Sequence, residues 1–306
     1  MAHWTMLQLC PKGLCQIPVI LLLTAIVICA PARGEEPQSP VQEAQGGTPM
    51  GKTGPEAQFL TGMRYYTGDG VQRNPAEAVK RFLEAAESGY APAQNSLGIC
   101  YEKGEGVERD EREAVKWYER AAEQGLAVAQ YNLGCYYIGR SSGGAPRNPA
   151  VAVAWIRRSA EQGFADAQFV LGGFYHVGLG VKPDEAESLK WTKLAAEQGL
   201  ARAEYALGSL YEDGVSVAKN ESMAMGWFAK AANHGLAEAE FRLATAYLTG
   251  KGEPVDYVEA HVWCSRAVAN HFEPASRLLP LIASQMTQAQ IEEAGRRLSG
   301  KKPMVF

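Results

Sequence analysis

The chain has 306 residues, of which 46% are hydrophobic and 21% are charged. That apolar fraction is ordinary for a globular protein and excludes a wholly disordered chain. The net charge of -4 lacks the basic excess of a protein that binds nucleic acid through its phosphates, so we expect no nucleic-acid partner. The 32 glycines exceed the usual share of about 7%, so glycine either fills loops or recurs at a periodic position.

The first segment of the chain has the pattern of a secretory signal peptide. Residues 17–30 form an uncharged apolar run, and Ala30-Pro31-Ala32 supplies an A-x-A cleavage motif. We therefore expect residues 1–32 to be removed during export, which makes the mature protein periplasmic or secreted. The apolar run is shorter than the roughly 20 residues that comfortably span a bilayer. The alternative is a single-pass membrane anchor in which this segment is retained.

Residues 33–55 follow the leader and contain few large apolar side chains. Such a segment cannot bury enough surface to offset the entropy lost on ordering, so we interpret it as a disordered linker.

A repeat fills most of the remaining chain and is marked by the dipeptide Leu-Gly or a degenerate copy of it. We number its second residue as position 0. That position is occupied by Gly62, Gly98, Gly134, Gly172, Gly208 and Ala244. The units are therefore 36 residues apart, except for 38 between the third and the fourth. An alanine at -5 and a tyrosine at +3 accompany every copy.

Each unit is predicted to form two antiparallel helices, A and B. The residues at -5, -1 and +3 are four apart and share one face of helix A. Glycine at position 0 inside a helix costs about 1 kcal/mol relative to alanine, which indicates a close helix contact there. Helix B is expected to begin after an Asn or Asp that caps its free N–H groups. The predicted caps are Asn74, Asp110, Asn148, Asp184, Asn220 and Asp256.

The combined pattern A-x-x-x-L-G-x-x-Y-x-x-G, followed by A-x-x-W-x-x-x-A-A-E-x-G, closely resembles the Sel1-like repeat, a relative of the tetratricopeptide repeat. The second unit shows it best, with Leu97-Gly98, Tyr101, Trp117 and Ala121-Ala122 at the matching positions. The resemblance implies an all-α fold, a right-handed α-solenoid of about six repeats. We place the repeats at 56–91, 92–127, 128–165, 166–201, 202–237 and 238–273.

Two further helices are predicted after the sixth repeat, over residues 274–300. The first resembles one more helix A, and Thr287-Gln288-Ala289-Gln290 forms a capping box that opens the second. The second helix has a polar face, so we expect it to cap the end of the array. Residues 301–306 are a short tail.

The sequence offers little for catalysis or metal binding. Catalysis needs a set of residues with distinct roles, and none stands out, so we expect neither an enzyme nor a cofactor. His261 and Cys264 are three residues apart on one helix, but a metal site usually needs four ligands, so we expect no metal. Three cysteines remain after the leader, which leaves a Cys100–Cys135 bridge or buried free thiols as alternatives.

By analogy with tetratricopeptide grooves, positions -6, -3, +1 and +4 of helix A are expected to line a concave face, and the candidate binding residues are those at -3 and +4. The residues at -3 are Phe59, Asn95, Tyr131, Phe169, Tyr205 and Phe241. The residues at +4 are Tyr66, Glu102, Ile138, His176, Glu212 and Leu248. The aromatic row at -3 is interpreted either as a surface for a peptide or as packing between helices. The varied chemistry at +4 is what a recognition surface would have.

The resemblance implies adaptor roles, so we expect a scaffold outside the cytoplasm that binds a protein or peptide on this face. The source is not evident, although the features look like those of exported bacterial members. Two alternatives remain. One is a cell-wall or lactam amide hydrolase, known from cysteine-rich relatives whose paired cysteines this sequence lacks. The other is a membrane-anchored adaptor that keeps its leader. Oligomeric state is left open.

Overall fold

The computed structural model describes residues 54–140 and 148–300, and these ranges contain α-helices and no strand. The predicted leader, nearly all of the predicted linker and the tail 301–306 lie outside the described residues. The prediction of an all-α fold is confirmed.

Fourteen α-helices follow one another in the described ranges, and each repeat contributes one helix A and one helix B. The A helices are α1 (Pro55–Thr67), α3 (Ala91–Lys103), α5 (Ala127–Cys135), α7 (Ala165–Val177), α9 (Ala201–Asp213) and α11 (Ala237–Thr249). The B helices are α2 (Pro75–Glu87), α4 (Glu111–Glu123), α6 (Pro149–Glu161), α8 (Glu185–Glu197), α10 (Glu221–Asn233) and α12 (Tyr257–Ala269). Two more, α13 (Glu273–Ala283) and α14 (Gln288–Ser299), follow the sixth repeat.

Helix B begins where the sequence predicted it, because all six predicted N-cap side chains accept backbone hydrogen bonds. Asp110 is typical, since its Oδ1 accepts from the backbone N–H groups of Arg112 and Glu113 at 2.9 and 3.1 Å. The capping box of Thr287 and Gln290 at the start of α14 is also present. Capping by these side chains satisfies N–H groups that the helix itself leaves free.

Glycine at position 0 lies where helix A crosses helix B of the same repeat, as predicted. A Cβ at Gly98 would lie 2.5 Å from Cε1 of Tyr118, and one at Gly208 would lie 2.8 Å from Cδ1 of Phe228. Real Cβ atoms almost never come this close to another heavy atom. The missing side chain therefore lets the two helices approach, which accounts for the recurrence of glycine despite its helix cost.

The third repeat accommodates its two extra residues at the end of helix A. Helix α5 is followed by a π-helical turn at Tyr136–Arg140, in which Gly139 has a φ of 101°. Gly139 thus ends the helix one position earlier than in the other repeats. Residues 141–147 are outside the described range, and the backbone N–H of Asn148 donates to the carbonyl of Tyr137 at 2.9 Å. The same link joins Asp110 to Tyr101 in the second repeat, so the register is restored.

The chain divides into two compact units. Among the described residues, the N-terminal unit holds residues 54–174 and 178–183, and the C-terminal unit holds 175–177 and 184–300. The N-terminal unit has a core of alanines and aromatic rings, in which Phe82 and Leu97 are fully buried. In the C-terminal unit, Phe228, Leu243 and Trp263 have the corresponding role.

The last two helices cover the end of the C-terminal unit. Helix α13 packs on α12 and places Ala275 and Ile282 in the core. Helix α14 also packs on α12, and Arg297 joins the two by an ion pair with Glu259. The predicted capping role of these helices agrees with this packing.

Of the two alternatives for Cys100, a disulfide bridge or a buried free thiol, the structure shows the free thiol. Cys100 and Cys264 are buried free thiols, so the Cys100–Cys135 bridge is not formed. Burial raises the pKa of each of these two thiols to about 12. No helix in the described ranges is both long enough and apolar enough to cross a membrane.

Candidate functional site

The row at position -3 is largely buried. Phe59, Asn95, Tyr131, Phe169 and Tyr205 each expose at most 6% of their surface, and only Phe241 is partly exposed. Three of the aromatic rings pack on the residue that opens the next helix A, with centroid separations of 5.3 to 5.4 Å. These pairs are Phe59–Tyr90, Tyr131–Phe164 and Phe241–Phe272. The packing interpretation of this row therefore has direct support, while contact with a ligand stays a prediction.

The row at position +4 is more accessible, since all six of its side chains are partly exposed. In the N-terminal unit, the Tyr66 hydroxyl donates to the carboxylate of Glu105, which belongs to the next repeat. Burial and this hydrogen bond raise the pKa of Tyr66, so its hydroxyl stays neutral. Glu102 accepts from the hydroxyl of Tyr118 at 2.7 Å, and Ile138 lies in the π-helical turn.

In the C-terminal unit the same row holds a histidine, a glutamate and a leucine. His176 Nδ1 lies 2.9 Å from Oε1 of Glu185. Glu212 forms ion pairs with Arg242 and with Lys251, whose Nζ is 2.5 Å from its Oε1. Leu248 packs at the edge of the core. The side chains at +4 are thus more accessible to a partner than those at -3.

A polar row that we did not single out from the sequence lies at position -4 and is buried between repeats. In the second and third repeats it is Gln94 and Gln130, each with 5% of its surface exposed. The side-chain amide of each donates to a carbonyl in the last turn of the preceding helix B, at 3.1 Å. Each side-chain carbonyl accepts from a second glutamine, Gln124 or Gln162, at 2.7 and 2.8 Å. The row therefore joins neighbouring repeats through neutral amides.

The fifth and sixth repeats replace that glutamine by glutamate. Glu240 is fully buried and accepts from Nε of Arg266 at 3.0 Å and from Nδ2 of Asn270 at 2.8 Å. Burial raises the pKa of Glu240, and the hydrogen bonds from Asn270 and Arg266 oppose that shift. Glu204 is 2% exposed, and its Oε2 lies 2.7 Å from Nδ1 of His234. The change from Gln to Glu at -4 is the sequence signal that could have revealed these sites.

The residues considered for metal binding are engaged in packing. The Cys264 thiol donates to the carbonyl of Ala275 at 3.3 Å, and burial lowers the pKa of His261. Within residues 54–140 and 148–300, no three His, Cys, Asp or Glu side chains are grouped so that they could hold a metal ion.

Comparison with known proteins matches this architecture. The family model described as Sel1 repeat matches residues 55–90, 91–126, 127–164, 165–200, 201–236 and 237–271. No curated protein matches the chain.

Two solved structures illustrate the likeness. The chain is similar to a Sel1 repeat protein from Oxalobacter formigenes, with 32% identity, a TM-score of 0.68 and coverage of 73% of this chain and 91% of the other. It is also similar to c5321, a protective antigen present in uropathogenic Escherichia coli strains that displays an SLR fold. That match has 28% identity and a TM-score of 0.51, and it covers 80% of this chain and 60% of the other. With six matched repeats that extend from residue 55 to residue 271, the chain belongs to the Sel1 repeat family.

Proposed function

We propose that this protein is a non-enzymatic adaptor that binds a protein or peptide partner outside the cytoplasm. The observation that carries the proposal is the array of six Sel1 repeats, since proteins of this family are generally scaffolds for protein interaction. Stacked helical repeats present long rows of equivalent side chains, which suits them to binding extended partners.

The +4 row is the part of the predicted face that supports partner contact best. Its six side chains are partly exposed, whereas five of the six at -3 are buried. Within each unit the row mixes polar, charged and apolar groups, as in an interface where a few anchors act beside polar contacts. We therefore place the binding surface of each unit on the +4 row: Tyr66, Glu102 and Ile138 in one, and His176, Glu212 and Leu248 in the other.

Site-specific photocrosslinking in cells tests this proposal. A photoreactive phenylalanine analogue at Ile138 or Leu248 is expected to capture a discrete partner from the exported fraction. The matched control is Met223, which is 43% exposed on helix B. Capture from Met223 equal to that from the two test positions, or no capture from either test position, would refute the proposed surface.

Export is a separate part of the proposal and is supported by the A-x-A motif after the apolar run. N-terminal sequencing of the protein from its native host is expected to begin at Arg33. A protein that still begins at Met1 and sediments with membranes would instead be the anchored adaptor.

A further inference from the structure

The buried carboxylate of Glu204 lies at the wall of an open pocket in the C-terminal unit, with a volume of about 560 Å³. The C-terminal ends of α8 and α10 form two of its sides, through Ala196–Gly199 and Asn233–His234. Trp227 and Lys230 of α10 complete the lining. A buried carboxylate favours positively charged neighbours, so the pocket is suited to a cationic group.

The sixth repeat shows what fills the equivalent space. There the Arg266 guanidinium donates through Nε to Glu240 at 3.0 Å and through Nη2 to the carbonyl of Ala232 at 3.3 Å. Its central carbon also lies 4.5 Å from the ring centroid of Trp263. A carboxylate, a carbonyl from the last turn of a helix and an indole face together hold one guanidinium.

The same three groups recur 36 residues earlier, namely Glu204 and Trp227 of the fifth repeat and the carbonyl of Ala196 at the end of the fourth. The residue of the fifth repeat that corresponds to Arg266 is Lys230, and its Nζ lies 3.7 Å from the centroid of the Trp227 ring. An ammonium on a flexible stem cannot make the forked pair of hydrogen bonds that a planar guanidinium makes. His234 contacts one carboxylate oxygen of Glu204, Oε2, and both residues line the open pocket.

The electrostatics of the pocket favour a cation over an anion. Two helices end there, and the partial negative charge of their C-terminal carbonyls adds to the carboxylates of Glu204 and Glu197. Lys230 opposes them, but it is exposed and held over the indole face. His234 is the remaining titratable group on the lining.

We propose that this pocket binds an arginine side chain of a protein partner. The guanidinium would donate to Glu204 and to the carbonyl of Ala196, and it would displace the Lys230 ammonium to stack on Trp227, as Arg266 stacks on Trp263. The inference rests on the proposed adaptor function for the source of the arginine. The pocket itself is defined by the comparison between the two repeats.

Titration with small blocked amino acids tests the chemistry of the pocket. N-acetyl-arginine methylamide is expected to shift the NMR signal of the Trp227 indole N–H saturably, with the signal assigned through Trp227→Phe. The lysine analogue is expected to bind at least tenfold more weakly, and the neutral citrulline analogue to cause no shift. Equal shifts from the arginine and citrulline analogues would overturn the proposal. Free arginine that binds tenfold more tightly than the blocked form would assign the pocket to a small metabolite instead.

Two variants sharpen the test. Glu204→Gln restores the residue of the earlier repeats, so it is expected to fold and to lose at least tenfold in affinity for the arginine analogue. Lys230→Arg is expected to fill the pocket from within, which raises the melting temperature and abolishes binding. Lys219→Arg, on an exposed side chain of the same unit, is the matched control and should change neither property. Undiminished binding by Glu204→Gln or Lys230→Arg would contradict the inference.

The partner experiment separates this inference from the proposed function. A partner that crosslinks to Leu248 and is lost on Glu204→Gln supports both. A partner that is retained by Glu204→Gln leaves the adaptor function standing and refutes the arginine pocket. A saturable titration without any captured partner removes the adaptor function and, with it, the assignment to a protein arginine.

Discussion

Replacing the position-0 glycine of the fifth repeat by alanine tests why glycine recurs at the helix crossing. A Cβ at Gly208 would lie 2.8 Å from Cδ1 and Cε1 of Phe228 and 3.2 Å from the carbonyl oxygen of Ala224. Carbon atoms in contact normally stay about 3.5–4.0 Å apart, so the ring would have to move. Phe228 is only 2% exposed and also packs on the ring of Tyr205, with centroids 5.2 Å apart. Overpacking of this kind costs about 1–3 kcal/mol.

The control for this substitution lies on the adjacent helix of the same unit. Gly226 is exposed in the interior of α10, and a Cβ there would meet nothing within 4 Å. Gly226→Ala is expected to stabilise the protein by about 0.5–1 kcal/mol through helix propensity alone. Because Gly208→Ala gains a similar amount from propensity, the difference between the two variants isolates the packing cost of about 1–3 kcal/mol.

Urea denaturation followed by far-ultraviolet circular dichroism measures this difference. The midpoint for Gly208→Ala is expected to fall below that of Gly226→Ala, and Gly208→Val to fall further because its side chain is larger and β-branched. If Gly208→Ala is as stable as Gly226→Ala, the close-contact explanation of the glycine column is wrong. A change in the slope of the transition would instead show that the unfolding unit has changed.

Four other predictions concern individual side chains or the two buried thiols. Ser216 has a φ of 60° at a position where other repeats have glycine, so Ser216→Gly is expected to raise the free energy of unfolding by about 1 kcal/mol in urea titrations. Asp110→Ala removes an N-cap and should cost about 1 kcal/mol by the same measurement, whereas no loss would mean that water replaces the cap. Burial raises the pKa of the Cys100 and Cys264 thiols from 9.0 to about 12, so mass spectrometry should find both unmodified by a thiol reagent at pH 8 until the protein unfolds. Since these thiols ionise only in the unfolded chain between pH 9 and pH 12, they should lower stability as pH rises through that window, and a flat profile would contradict their burial.

The ion pair between Glu240 and Arg266 depends on tertiary structure and not on a local sequence pattern. Glu240 and Arg266 are 26 residues apart and belong to different helices, so no local periodicity joins them. Their pairing follows from the packing of helix A on helix B within the sixth repeat, which brings the -4 position of α11 against the last turn of α12. At Glu204, where the second and third repeats have Gln, the same packing buries a carboxyl group beside an open pocket.

The sequence by itself determined the helices, their caps and the close crossing at position 0. These features are local, because capping and helix periodicity act within a few residues and then repeat every 36. Only the tertiary structure decided which rows are accessible. The sequence pattern at -3 is the same whether an aromatic side chain such as Phe169 faces a partner or the next repeat. In the folded protein, packing leaves Phe169 with no exposed surface. Cys100 likewise became a buried free thiol because of where its helix packs, which spacing along the chain does not encode.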